Sequence, residues 1–229
     1  MFHLQGITKI YRKRWQEVTA FRADQLDIAG GEYVAVVGPS GSGKTTLLSL
    51  LGGMLSPDTG EVLFDGQSLY DLSLIERTRL RRERIGFVFQ TFNLVPYLTA
   101  LENVQVPLYL GGIAASEQRS RASALLEQLG LGNRLDHKPG ELSTGQQQRV
   151  ALARTLANNP RLILADEPTG NLDPESREAI LSLFDGFVRD GRTIVMVTHD
   201  PAAAARATRK VLLRDGAIEV EPDVSRSAA

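Results

Sequence analysis

The chain has 229 residues, 42% of them hydrophobic, a composition that excludes disorder over most of its length. Its 26 Lys and Arg against 27 Asp and Glu leave a formal net charge of −1, which argues against a strongly electrostatic partner such as nucleic acid. There is no cysteine, so disulfides and thiol chemistry are excluded, in keeping with a reducing compartment.

Met1 to Trp15 mixes charged and apolar residues and lacks the apolar core of a signal peptide. Phe2–Ile10 and Val18–Ile28 alternate, and they are expected to form an antiparallel patch with Val62–Phe64. Trp15 falls in the hairpin region between the first two and reads as local packing. Tyr33–Val37, Ile85–Phe89, Leu162–Ala165 and Thr193–Thr198 are continuous apolar runs, as expected of strands buried on both faces. Between Leu94 and Ala157 the period becomes helical, over Leu101–Leu110, Glu117–Leu129 and Gln146–Ala157, with breaks at Gly111-Gly112, Gly130 and Pro139-Gly140. The fold class is therefore α/β: a mostly parallel central sheet, an antiparallel β patch and a helical insert. The richest apolar segment, Leu47–Leu55, falls far below the roughly 20 residues needed to cross a bilayer. The chain is expected to be soluble and to do any membrane work through a partner. Glu221 to Ala229 is polar and is expected to fray.

One motif dominates. Gly38-Pro39-Ser40-Gly41-Ser42-Gly43-Lys44-Thr45 fits the spacing G-x-x-x-x-G-K-[ST], follows the run Tyr33–Val37 and leads into a helical stretch from Thr46 to Leu51. Glycines let the backbone wrap so that N–H groups face phosphate oxygens, and the helix N-terminus favours negative charge. Lys44 suits the β- and γ-phosphates, and the Thr45 hydroxyl suits Mg²⁺. The alternative, an ordinary Gly-rich turn, leaves the Lys-Thr pair without a reason. The motif implies a nucleoside triphosphate site.

Other chemistry-bearing residues fall just past strand ends, where a doubly wound sheet places its ligands. Gln90 follows one strand, Asp166-Glu167 a second and His199 a third. Adjacent carboxylates ending an apolar strand are unfavourable unless a cation or a catalytic water uses them. Asp166 suits the Mg²⁺ shell, and Glu167 suits a general base. Read alone, His199 is as well explained as a satisfied turn histidine, and Gln90 carries no information. A second helix start, Leu142-Ser143-Thr144-Gly145-Gln146, has Ser143 as N-cap and Gln146 in the capping-box position. Its free N–H groups would also bind phosphate. One triphosphate does not need two helix N-termini from one chain, but a head-to-tail dimer would use both.

This ordered set resembles the nucleotide-binding subunit of an ABC transporter over nearly the whole chain. The phosphate loop is similar to the family's Walker A and Leu162–Asp166 to its Walker B. Gln90 matches the Q-loop, Leu142–Gln146 the signature, Gly170-Asn171-Leu172-Asp173 the D-loop and His199 the H-loop. The resemblance implies ATP and Mg²⁺ as cofactors and ATP hydrolysis as the reaction. It implies Glu167, His199, Gln90 and Lys44 as catalytic, and Thr45, Gln90 and Asp166 as Mg²⁺ ligands. Nucleotide contacts are implied for Tyr11, the loop from Gly38 to Thr46 (Gly38, Pro39, Ser40, Gly41, Ser42, Gly43, Lys44, Thr45 and Thr46), Ser143, Gly145, Gln146 and Asp173. It also implies a RecA-like core over residues 1–92 and 158–220, a helical subdomain over 93–157 and a tail over 221–229.

Ala165-Asp166-Glu167-Pro168-Thr169-Gly170-Asn171-Leu172-Asp173, Leu51-Gly52-Gly53 and Thr99-Ala100-Leu101-Glu102-Asn103-Val104 resemble the lipoprotein-releasing, macrolide-export and cell-division ATPases. That likeness implies an ATP-bound homodimer at the cytoplasmic face of the cell membrane, driving a separate permease with or without an extracytoplasmic adaptor. The alternative is a regulator of cell-wall enzymes, as the cell-division relatives are. The chain departs from the family at Thr144, where glycine is usual, which is expected to alter packing or rate. DNA-repair ATPases of this kind would carry a long coiled coil, and no extended heptad run occurs here. Translation-factor ATPases normally carry two cassettes. Arg77, Arg79, Arg81, Arg82 and Arg84 read as a solvated helix face. Phe92, Leu94, Pro96, Tyr97 and Leu98 are either core of the helical insert or a groove for a partner helix.

Overall fold

A computed structural model describes residues 1–13 and 16–219. Trp15 and the tail expected to fray lie outside the described residues. Ten strands hydrogen-bond in one order, β5-β4-β1-β2-β10-β9-β3-β8-β7-β6. They are β1 (Phe2–Lys13), β2 (Gln16–Ile28), β3 (Tyr33–Val37), β4 (Thr59–Phe64), β5 (Gln67–Ser68), β6 (Ile85–Phe89), β7 (Leu162–Asp166), β8 (Thr193–Val197), β9 (Arg209–Arg214) and β10 (Ala217–Glu219).

The run β9-β3-β8-β7-β6 is parallel throughout. Its side chains alternate between two cores, as the two-residue period of a strand requires. Val34, Val36, Leu162, Leu164, Val195 and Val197 join one cluster, with the leucines of α1 (Lys44–Leu51) and with Phe2, Leu4 and Phe64. Tyr33, Ile163, Ala165, Ile194 and Met196 join the other, with residues of α3 (Ala100–Leu110), α4 (Ala115–Gln128), α5 (Thr144–Leu156) and α6 (Pro174–Arg189). Burial on both faces explains why these strands read as unbroken apolar runs. The expected antiparallel patch is present: β1 pairs with β2 (Phe2 opposite Ile28) and with β4 (Phe2 opposite Phe64).

Three helices begin with reciprocal capping boxes that the sequence encodes locally: Ser73 with Glu76, Thr99 with Glu102, and Ser143 with Gln146. The first of these opens α2 (Leu74–Arg84), which carries the arginine run. The expectation of a purely solvated face needs correcting there. Arg79 is exposed and pairs with Glu83, but Arg81 donates to the Gly53 carbonyl at 2.8 Å and Arg82 to the Leu110 carbonyl at 2.9 Å. The Arg77 guanidinium lies 5.1 Å from the centre of the Tyr70 ring. The helix has no fully buried residue; Leu80 packs against the core beside it, and these arginine heads add polar contacts to the body. The stretch after β6 divides between its two readings: Phe92 and Leu94 pack against the core, whereas Tyr97 is 83% exposed.

Candidate functional site

Strands β3, β8, β7 and β6 are neighbours in the sheet, so their carboxyl ends bring four distant stretches of chain together. The loop after β3 runs into α1. Gly43, the residue before that helix, has φ 98, and a Cβ there would fall 2.1 Å from the Ala20 carbonyl oxygen of β2. Only glycine meets both conditions. Lys44 Nζ curls back and donates to the carbonyls of Gly38 and Pro39, each at 2.8 Å. Its charge thus sits inside the ring of the loop.

Thr45 Oγ1 donates to Asp166 Oδ2 at 3.2 Å, joining the start of α1 to the end of β7. Burial is the largest influence on the Asp166 carboxyl and holds its pKa above the usual range; the Thr45 hydrogen bond opposes that shift and the neighbouring Glu167 charge adds to it. A carboxylate in that state gains from a cation. Glu167 has φ 47, the left-handed region that non-glycine residues seldom enter, and its N–H donates to the Val197 carbonyl of β8 at 2.9 Å. The turn directs its carboxylate toward His199. Glu167 Oε1 lies 2.8 Å from His199 Nδ1, and Oε2 accepts from the His199 backbone N–H at 3.3 Å. Gln90 sits across from the turn after β7, where Asn171 Nδ2 donates to its carbonyl at 3.1 Å.

A cavity of about 740 Å³ is lined by Ser40, Gly41, Gly43, Lys44, Thr45, Thr46, Gln90, Asp166 and Glu167, whereas Gly38, Pro39, Ser42 and His199 are not among its lining residues. Tyr11, Val18, Thr19, Ala20, Asp215 and Gly216 line it as well. Sequence reasoning named Tyr11 but none of the other five. An Asp-Gly turn marks a bend, yet nothing local says that this bend docks on the phosphate loop, which it does through the Gly216 N–H donating to the Ser42 carbonyl at 3.2 Å.

Ser143, Gly145, Gln146 and Asp173 are not among the residues lining that cavity. Ser143 Oγ and the Gln146 side chain are engaged with each other's backbone N–H groups at 3.3 Å and 3.0 Å. Asp173 is the N-cap of α6 and accepts from the Ser176 N–H at 2.9 Å, an interaction that holds its carboxyl below the usual range. The sequence Asp173-Pro174-Glu175-Ser176 carried this capping signal in full.

Comparison with known proteins agrees with this geometry. A family profile described as "ABC transporter" matches residues 21–170. The chain belongs to the ABC transporter family. It is an ABC-type ATPase with the mixed α/β fold of that family. It is 48% identical over 238 residues to a macrolide export ATP-binding/permease protein, MacB, of Syntrophobacter fumaroxidans, covering 100% of this chain and 33% of that protein. The chain thus spans about a third of the length of this macrolide-export relative. It is 47% identical over 226 residues to the uncharacterized ABC transporter ATP-binding protein MJ0796 of Methanocaldococcus jannaschii, with 96% of each covered. Two solved dimeric structures of MJ0796, one in a post-hydrolysis state bound to ADP and Pi, match with TM-score 0.90 and 45% identity over 98% of this chain and 99% of theirs. No helix among the described residues is long and apolar enough to cross a membrane.

Proposed function

We propose that this cassette works as a head-to-tail pair, closing on two ATP molecules and driving a permease of an export-type assembly at the cytoplasmic face of the membrane. One observation carries the pairing. The cavity holds the phosphate loop, Gln90, Asp166 and Glu167, while the capped helix start at Ser143–Gln146 lies outside its walls in the same chain. A second copy would bring that helix start to the γ-phosphate. The MJ0796 dimers support the arrangement, and the macrolide-export relatives support the export type and the permease.

In this reading Tyr11 stacks on the adenine, and the loop from Gly38 to Thr46 surrounds the phosphates with Lys44 as its cation. Among the described residues no three His, Cys, Asp or Glu side chains form a metal cage. Mg²⁺ on a triphosphate does not need one, because phosphate oxygens and water fill most of its shell. Thr45 Oγ1 and Asp166 Oδ2, 3.2 Å apart beside Gln90, fit that ion. When bound, it neutralises charge on the β- and γ-phosphates. Glu167 takes the proton of the attacking water, and His199 fixes its carboxylate. Residues 1–92 and 158–220 act as the RecA-like core and residues 93–157 as the helical subdomain.

The pairing is tested by mixing two inactive variants. Ser143→Arg is expected to bind nucleotide as a monomer but not hydrolyse it, and Lys44→Ala to lose nucleotide affinity. A mixed dimer keeps one composite site with both residues intact, so the mixture should recover ATPase activity. If Ser143→Arg abolishes nucleotide binding to the isolated subunit, Ser143 serves its own chain's site and the head-to-tail reading fails.

A further inference from the structure

Helix α5 does more than present Ser143 at its first turn. Eleven residues after Ser143, about 16 Å at the helical rise, Arg154 spreads its guanidinium across the turn that follows Gln90. Its Nη1 donates to the Asn93 carbonyl at 2.6 Å and its Nη2 to the Phe92 carbonyl at 2.7 Å. Both acceptors are non-glycine residues in the left-handed region, Phe92 at φ 58 and Asn93 at φ 50. Two consecutive residues in that region persist only where neighbouring contacts dictate it. Arg154 has no ion-pair partner among the described residues, and desolvation lowers its pKa. A half-buried cation with no carboxylate is an unfavourable way to satisfy two turn carbonyls, one of them on exposed Asn93. The fork of an arginine does, however, fix the relative position of two acceptors, which water or a lysine cannot.

The same turn is held from its other side by Asn171, whose Nδ2 donates to the Gln90 carbonyl. Helix α5 grips the turn after β7 as well: Gln148, fully buried, donates from Nε2 to the Pro168 carbonyl at 2.5 Å. Further along, the Thr155 hydroxyl donates to the Phe87 carbonyl of β6 at 2.6 Å. The helix that starts at Ser143 is therefore bolted to the segments carrying Gln90 and Glu167.

We infer that Arg154 is a positioning residue for Gln90: its two-pronged hold makes the turn after β6 and the helix from Ser143 move as one body. The inference rests on the reading above that Gln90 is a catalytic residue beside the Mg²⁺ site. Docking of one copy's Ser143 on the other's ATP would then be felt at Gln90 in its own site, so each composite site would adjust the rate of the other without being required for it.

A double-mutant cycle on the full chain tests this. Arg154→Met keeps the apolar stem and removes both prongs; Arg154→Lys keeps the charge and reaches one carbonyl. Each is measured alone and combined with Gln90→Ala. Arg154→Met should lower kcat on the order of 10-fold to 100-fold, the scale of a displaced catalytic group. KM for ATP should stay within about twofold, because the phosphate loop is untouched. Arg154→Lys should fall between. In the Gln90→Ala background neither substitution should lower kcat further. An equal loss in both backgrounds means that Arg154 supports the fold generally, and a parental kcat for Arg154→Met means that the hold is idle; either overturns the inference. A parental kcat for Gln90→Ala alone locates the failure instead in the role given to Gln90, and the inference falls with it. If Arg154→Met does not fold, Arg154→Lys carries the same cycle, and loss of folding in both assigns the contacts to stability and overturns the positioning role.

Discussion

Gly145 lies against Ser176 so closely that a Cβ at position 145 would fall 2.3 Å from Ser176 Oγ and 2.9 Å from its Cβ. The contact joins the first turn of α5 to the first turn of α6, and it gives a packing reason for glycine at this position without any appeal to phosphate. Gly145→Ala should therefore destabilise the nucleotide-free subunit by about 1–3 kcal/mol, the usual scale of overpacking. Ser176→Gly removes the atoms in the way and should recover much of the loss. Urea unfolding of the two single variants and the double variant measures this. Additive losses would place the reason for Gly145 elsewhere.

Glu167→Gln should leave nucleotide affinity near parental and slow hydrolysis by about 10²–10⁴-fold, the range for removing a general base. The amide retains a hydrogen-bonding partner for His199, so the turn at φ 47 should hold. With hydrolysis blocked, an ATP-bound pair should accumulate, seen as an ATP-dependent shift in size-exclusion chromatography. Turnover at the parental rate would remove Glu167 from the base role.

Asp173 gives a pH signature. Its carboxyl is held below the usual range mainly by the backbone N–H of Ser176, so folding favours the ionised form. The stabilisation is complete above the unfolded-state carboxylate pKa and is lost as pH falls through the lower folded-state value. Asp173→Ala should thus lower the thermal midpoint at neutral pH, and the gap from the parent should close as the solution is acidified through the carboxylate range. A gap constant with pH would mean that the charge at the start of α6 does not matter.

Tyr97 and Leu94 separate docking from folding. Tyr97 is 83% exposed, so, if the proposed permease docks there, Tyr97→Glu should weaken copurification with it and leave the ATPase rate of the free subunit within about twofold. Leu94 packs against the core, so Leu94→Glu should unfold or destabilise the subunit. Normal permease binding by Tyr97→Glu would put the docking surface elsewhere.

What the sequence by itself determined was whatever depends on short-range chemistry. The phosphate loop, the capping boxes at Ser143-Gln146 and Thr99-Glu102 and the doubly buried strands are each written within a few consecutive residues. Backbone donors are satisfied by neighbours in sequence, and burial on both faces leaves an unbroken apolar run. The cap at Asp173 is equally local, with Pro174 at the first helical position and Ser176 as donor.

The tertiary structure alone decided which chain segments meet. The strand-end positions of Gln90, Glu167 and His199 already grouped them in the sequence, but only the strand order sets the ends of β3, β8, β7 and β6 side by side and gives the contacts, such as Glu167 Oε1 at 2.8 Å from His199 Nδ1. The tertiary structure also folds Asp215-Gly216 over the phosphate loop, gives Arg77, Arg81 and Arg82 of a run that looks wholly solvated partners on Tyr70, Gly53 and Leu110, and lays Arg154 on the carbonyls of Phe92 and Asn93. An arginine's sequence neighbourhood records its charge and its helix, whereas its hydrogen-bond acceptors are backbone carbonyls, which every residue carries alike and no sequence pattern marks.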